Sequence, residues 1–476
     1  MQLKAALAEI YGLRYMIDRL DIKSGLAHRV LLASPFIVSQ KELQHQLELV
    51  SSTQKSLCDD STKPLLGKVT IKLAQVRDIG GTAKSIQKGI TLNDIELFEI
   101  KSFALIAQEV KELLKTIPFL GEQLPSLLAV VELLDPEGTR IPSFYISSHF
   151  DANLAPLRRQ LLGLELMLED STDEQLQRDA DEVRSKIEAI EDGVRQRLST
   201  LLASHANELA KAISAIASID ILIAKAKQAV ADSLVMPVIG GETTSYQGLF
   251  YPQLKEVLEQ QNKRYQPIDV EVNRGSCLIT GANMAGKTVL LKTLALSQAM
   301  CQYGFFVPAQ SAQIALVDHI LFSIIDEQSE LSGLSSYGAE MLKVNHIVQM
   351  AKKQHRLLVL IDELARTTNP TEGRAIVNAV ANFLDECNVR AIITTHYSGL
   401  GAMCRKLRVK GFIDSSGDTQ ITIRNIGDYI DYSLVEDDGT SVPHEALRIA
   451  QILGVDADIL TAAANQLGAN LNSNKN

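Results

Sequence analysis

From residue 1 to about residue 231, apolar side chains recur every three or four positions and glycine is sparse, the spacing that lines one face of an α-helix. This half of the chain is expected to be a helical scaffold. Residues 66–82 (LGKVTIKLAQVRDIGGT) predict a break in it, and residues 140–150 (RIPSFYISSHF) read as extended, so a helical core is expected over 1–154. Between 155 and 231 no proline follows Pro156, and Gly163 and Gly193 are the only glycines. That run predicts an antiparallel helical hairpin of coiled-coil type, returning to the core by about 234.

Near Leu234 the pattern changes. The segment VMPVIGGETTSYQGLFYP is rich in glycine, proline and threonine, and beyond it short apolar runs alternate with helical periodicity, the signature of an α/β sheet. The α/β domain is placed at 235–440 and a closing helical segment at 441–467. The polar stretch 468–476 is expected to be a disordered tail.

Composition narrows the picture. A chain of 476 residues with 46% hydrophobic content is long enough for two or three packed domains. Its net charge of −10 gives no global attraction to phosphate backbones or anionic membranes, so any nucleic-acid contact has to come from a local patch. The five cysteines are scattered without C-x-x-C spacing, which argues against a disulfide framework or a zinc site and for a reducing, cytoplasmic setting. The amphipathic start MQLKAALAEIYGLRYMIDRL is not a signal peptide, and no apolar run is long enough to span a bilayer, so no membrane partner is expected.

The chemistry lies in the α/β half. Residues 281–288 read Gly-Ala-Asn-Met-Ala-Gly-Lys-Thr, a G-x-x-x-x-G-K-[ST] loop between the strand-like CLIT and a helical run. Gly281 and Gly286 let the backbone curl its N–H groups inward, the helix N-terminus adds partial positive charge, and Lys287 is suited to reach the β and γ phosphates of ATP. Thr288 is the candidate Mg²⁺ ligand in the loop. Further on, LLVLI ends in Asp362 and Glu363: Asp362 suits Mg²⁺, and Glu363 suits polarising the water that attacks the γ phosphate. A third apolar strand, RAIIT, leads to His396, the candidate γ-phosphate sensor.

These motifs together resemble the MutS family: Asn283-Met284 within the P-loop, the run DELARTTNPTEG at 362–373, and TTHY at 394–397. The resemblance implies an α-helical lever and clamp domain followed by an ABC-type α/β P-loop ATPase domain, with 155–234 as the clamp arm. It adds Asn283 and Gln328 as nucleotide-binding residues, Gln328 lying in the segment DEQS. In the serine-rich stretch 332–341 it gives Ser335, with Ser336 as close second, the role of reaching the neighbouring subunit's nucleotide. It thereby implies a homodimer or a heterodimer with another MutS-like subunit, with 441–467 packing across the dimer. Among branches the motifs look closest to the second bacterial MutS branch, but this chain is expected to lack that branch's C-terminal nuclease domain and the mismatch-reading domain of repair-type relatives. The P-loop departs from the family in Ala282 and Ala285, and an alanine at 285 requires a loop that avoids left-handed geometry there.

Two uses of the motor remain open. One is a clamp on DNA or another nucleic-acid structure. The other is remodelling of a client enzyme, as in the MutS-like reactivase subunit of a cobalamin-dependent lysine aminomutase. Residues 163–200 carry eleven acidic side chains against five basic ones, a surface that repels phosphates.

Overall fold

The structure is a computed structural model, and it describes residues 1–169, 173–281, 285–323, 336–353, 356–412, 426–437 and 445–473. The first half is helical: α1 (Leu3–Glu9), α2 (Leu13–Asp18), α3 (Gly25–Leu32), α4 (Gln40–Cys58), α5 (Lys63–Leu73), α6 (Gly80–Gln87), α7 (Asp94–Leu113), α8 (Pro118–Gly121) and α9 (Leu128–Leu134). Helices α10 (Leu154–Glu169), α11 (Glu174–Ser204) and α12 (Ala206–Ala231) complete it. The expected break at 66–82 is shorter than its composition suggests. Leu66, Val69 and Leu73 bury one face of α5, so helical packing carries through Leu73 and the interruption shrinks to the turn before α6.

Residues 140–150 form no strand; they run as irregular chain between α9 and α10. The hairpin is present as α10 packed on α11. The pairs Arg184–Glu165 (2.9 Å) and Arg158–Glu191 (2.7 Å) step in opposite directions along the two helices, as antiparallel neighbours require. Instead of one long pair there are three helices, because α11 stops at its C-cap His205 and α12 begins at Ala206. No glycine or proline marks that stop. The two helices differ in burial: α12 buries nearly consecutive positions around its circumference, Ala215, Ile216, Ala217, Ile219, Leu222, Ile223 and Ala224, whereas α11 buries a single stripe from Ala180 to Leu202.

The second half contains two sheets. A four-stranded sheet joins β1 (Val238–Ile239), β5 (Ser311–Ile314), β2 (Thr244–Leu249) and β3 (Ile268–Val272) in that order. The larger sheet has six strands, with β4 (Gly275–Thr280), β6 (His319–Ser323), β7 (Leu357–Ile361), β8 (Arg390–Thr394), β9 (Arg405–Phe412) and β10 (Ile430–Glu436) ordered β10-β9-β4-β8-β7-β6. All neighbours in it are parallel except β10 on β9. Strands β7 and β8 are buried at every residue, which is why β7 is a continuous apolar run and β8 is apolar at its three central positions rather than alternating.

The helices of this half are α13 (Pro252–Gln260), α14 (Lys287–Gln302), α15 (Ser336–Ala351), α16 (Pro370–Glu386), α17 (Glu445–Ile452) and α18 (Ala457–Ser473). Leu278, Val359, Ile361, Ala391 and Ile393 form one core face with Val344 and Ile347 of α15 and Val377, Ala381 and Leu384 of α16. The alternate residues of the same strands point the other way, where α14 lies against β7 and β8. Helix α18 carries the backbone through Ser473, into the polar stretch expected to be a tail.

The chain forms two compact units: Met1–Arg19, Pro35–Glu48 and Gln228–Asn476 in one, and Leu20–Ser34 and Leu49–Lys227 in the other. Among the described residues no helix is long and apolar enough to cross a membrane.

Candidate nucleotide site

Parallel strands deliver their C-terminal ends to one edge of a sheet. Here β4, β7 and β8 end side by side, so the P-loop after Thr280, the Asp362–Glu363 pair after Ile361 and His396 after Thr394 share an edge. The P-loop opens at Gly281 with φ of +145° and closes at Gly286, the αL N-cap of α14, with φ of +73°. Both are conformations that L side chains rarely adopt, and a Cβ on Gly286 would come within 3.1 Å of the Tyr432 ring. Ala285 is buried.

Lys287 is the first residue of α14 and is buried, its Nζ donating to the Gly281 carbonyl at 2.6 Å across the loop. The Thr288 hydroxyl donates to Asp362 Oδ2 at 2.6 Å, and the Thr394 hydroxyl donates to Asp362 Oδ1 at 2.6 Å. A hydroxyl and a carboxylate at hydrogen-bond distance beside a phosphate-binding loop are an all-oxygen donor set, which fits Mg²⁺ held jointly with phosphate oxygens.

Glu363 sits in a strained turn, with φ of +47°, followed by Ala365 at +58°. Four hydrogen bonds hold this turn: Glu363 N–H donates to Thr394 Oγ1 (2.9 Å), Leu364 N–H to the Thr394 carbonyl (3.3 Å), Ala365 N–H to Glu340 Oε1 (2.9 Å), and the Tyr397 hydroxyl to the Ala365 carbonyl (2.9 Å). The Glu363 side chain pairs with Arg366 Nη1 at 2.8 Å. Burial lowers the His396 imidazole below its ordinary pKa, with Lys287 and Arg366 acting in the same sense and Glu363 against it. The histidine thus lies within electrostatic reach of the P-loop lysine and of the carboxylate, although it is not among the residues lining the cleft.

A cleft of about 660 Å³ is lined by Gly286, Lys287, Thr288 and Glu363 and by an apolar group, Leu254, Leu258, Tyr265 and Tyr432. Tyr432 is fixed from behind: its N–H donates to Gln266 Oε1 (3.1 Å), while Gln266 Nε2 donates to Asp431 Oδ1 (2.8 Å). The apolar group suits a flat heteroaromatic ring, and the P-loop residues suit a polyphosphate. Sequence reasoning missed the apolar group, because its residues come from α13, the segment leading into β3, and β10 and form no linear motif.

The structure therefore brings together Gly281, Gly286, Lys287, Thr288, Asp362 and Glu363, with His396 near them. Asn283, Gln328 and Ser335 lie outside the described residues. Glu340, Tyr397 and Gly373 are the supports that sequence alone did not single out. A Cβ on Gly373 would lie 2.2 Å from the Tyr397 hydroxyl, so only glycine lets α16 pass that close.

A glycine-bounded loop capping a helix, one strand away from the strand that ends in Asp-Glu, defines the class of P-loop nucleotide-binding proteins. Within that class, residues 277–471 match the family model for MutS domain V. Curated relatives agree. The chain is 34% identical over 210 residues to "Endonuclease MutS2" of Caldicellulosiruptor saccharolyticus (44% of this chain, 26% of the relative), and 30% identical over 319 residues to "Endonuclease MutS2" of a Geobacillus species (66% and 38%). It is 33% identical over 224 residues to "DNA mismatch repair protein MutS" of Roseiflexus castenholzii (45% and 20%). These matches support membership of the MutS family, and they span only about a fifth to two-fifths of each relative's length.

Proposed function

We propose that this protein is a MutS-type ATPase that hydrolyses ATP to move its helical half and that it acts on DNA. The observation that carries the reading is the convergence of Lys287, Thr288, Asp362 and Glu363 at one sheet edge, with an apolar recess beside them. In this reading Lys287 releases the Gly281 carbonyl to hold the β and γ phosphates, and Glu363 orients a water for in-line attack. The water oxygen bonds to the γ phosphorus, the bond to the β–γ bridging oxygen breaks, ADP leaves, and Glu363 accepts the water proton. Thr288 and Asp362 would hold Mg²⁺, which when bound neutralises charge on the phosphate oxygens. Neutral His396 is placed to report on the γ phosphate, and the family resemblance gives Ser335 of a second subunit the completing contact.

Kinship with proteins named for mismatch repair and for MutS2 endonuclease supports DNA as the load. A protein client is the second reading, favoured by the acidic outer hairpin and by the exposed Leu162, Leu166 and Met167 on α10. The test has two parts. Lys287→Ala is expected to abolish binding of a fluorescent ATP analogue, whereas Glu363→Gln keeps binding and loses turnover by about a hundredfold or more. The Glu363→Gln protein loaded with ATP is then tested for retention on branched DNA. If it holds no DNA and instead recovers one enzyme complex from extract, the DNA reading is abandoned.

A further inference from the structure

The chain as a whole carries −10, and its outer hairpin is more acidic still, so a DNA-acting motor needs a cationic surface elsewhere. One stretch supplies it. Between 63 and 88 the basic residues are Lys63, Lys68, Lys72, Arg77, Lys84 and Lys88, and the only acidic one is Asp78. These residues lie on α5, on α6 and in the turn joining them. The apolar faces of both helices are turned inward, through Leu66, Val69 and Leu73 on α5 and Thr82 and Ile86 on α6, which leaves Lys63, Lys68, Arg77, Lys84 and Lys88 exposed.

Both helices pack on α7, which sets their positions relative to each other. Lys72 of α5 pairs with Glu109 in the last turns of α7. At the other end, Thr82 of α6 donates to Glu99 (2.9 Å), and the Arg77 guanidinium lies 5.7 Å from the centre of the Phe98 ring. From residue 98 to residue 109 an α-helix advances about 16 Å at about 1.5 Å per residue, so α5 and α6 share α7 as a common support, and the stretch they carry is locally basic. The ion pairs in this region use Lys72 and Asp78, the latter with Arg29 at 2.8 Å. Among the described residues none involves Lys63, Lys68, Lys84 or Lys88. Four exposed lysines without carboxylate partners leave this stretch locally positive on a chain of opposite net charge. A duplex, with one charge per about 1.7 Å of axis, offers phosphates along the whole stretch.

We propose that the α5–α6 strip is the phosphate-contact surface of this protein for duplex nucleic acid and that the acidic α10–α11 hairpin is not. The inference rests on the DNA reading above and locates its electrostatic contact. Contacts of this kind are with the backbone, so they set affinity and salt dependence and do not select sequence.

The test uses the full chain, with labelled linear and four-way duplex DNA followed by fluorescence anisotropy in an ATP-bound state, over about 50 to 200 mM salt. The variant is Lys63→Gln, Lys68→Gln, Lys84→Gln and Lys88→Gln together. All four side chains are exposed, and an unchanged circular dichroism spectrum and melting temperature show that the variant is folded. The control is Arg178→Gln with Lys186→Gln on the hairpin. The quadruple variant is expected to flatten the slope of log K against log salt by about 3 to 4, at about 0.9 per contact, and to lose affinity at least about tenfold at low salt, while the hairpin control keeps the wild-type slope. If wild type binds with a steep slope and the quadruple variant matches it, the strip is overturned and the DNA reading stands. If wild type binds neither DNA, both fall. If polyglutamate of matched charge competes as well as duplex, the strip is a site for an acidic protein, and the nucleic-acid assignment is overturned.

Discussion

The most informative residues are those that hold Glu363 in place. Two consecutive odd positions in the left-handed region, Glu363 and Ala365, are unfavourable for L residues by about 1–2 kcal/mol each, and such strain persists only where neighbours over-determine it. Thr394, Glu340 and Tyr397 do so, each through a hydrogen bond to the turn's backbone. Gly373 makes room for the last of them. Gly373→Ala would place a methyl 2.2 Å from the Tyr397 hydroxyl and force the tyrosine off Ala365. The expected cost is about 1–3 kcal/mol of stability, read as a lowered melting temperature, together with slower ATP turnover. Adding Tyr397→Phe removes the clashing oxygen but leaves ring carbons at 2.7 and 2.9 Å, so it should restore only part of the melting temperature and none of the turnover. A Gly373→Ala protein with wild-type melting would show that the contact is not felt.

At the scale of elements, α15 acts as a strut between the segment carrying Ser335 and the catalytic turn. It begins at Ser336, immediately after the segment to which the family resemblance gives the trans-acting serine, and it delivers buried Glu340 to the Ala365 N–H. Glu340→Ala leaves that N–H unpaired and should destabilise by about 1–3 kcal/mol, whereas Glu340→Gln keeps an acceptor oxygen. Both variants also differ from wild type in pH response. Burial pushes the Glu340 carboxyl up, outweighing the Ala365 hydrogen bond, so its contribution to stability is full below the ordinary carboxyl pKa and is lost as pH rises through the raised value. Glutamine does not titrate there. The melting temperature of Glu340→Gln relative to wild type should therefore rise between mildly acidic and neutral pH. A gap that stays flat across that range would mean the carboxyl is not penalised by its surroundings.

For the whole molecule, the proposed dimer makes a prediction that neither half-site makes alone. Ser335→Ala lacks the completing serine in both sites, and Lys287→Ala lacks the lysine in both, so each homodimer should be inactive. A heterodimer of the two contains one site with its own lysine and its partner's serine, and phosphate release should return to a substantial fraction of the wild-type rate. Absence of recovery in verified heterodimers would count against sites completed across subunits. The sequence by itself determined the chemistry of the candidate site: Gly281, Gly286, Lys287, Thr288, Asp362, Glu363 and His396 sit at motif positions, because a phosphate loop and a strand-end carboxylate pair are local arrangements that short runs of chain encode. It also determined the change from helical scaffold to α/β sheet near 235, because periodicity is a local property. Only the tertiary structure decided which distant groups support that site. Glu340, Tyr397 and Gly373 fall within quoted motif runs and Gln266 and Tyr432 in none, but nothing along the chain says which of them meet. The stop between α11 and α12 and the shrinking of the break before α6 were likewise set by burial against neighbours, which spacing along one helix cannot report. The cationic strip of α5 and α6 belongs to both levels: its lysines can be counted in the sequence, but their common support on α7, and the lack of carboxylates beside them, exist only once the helices are packed.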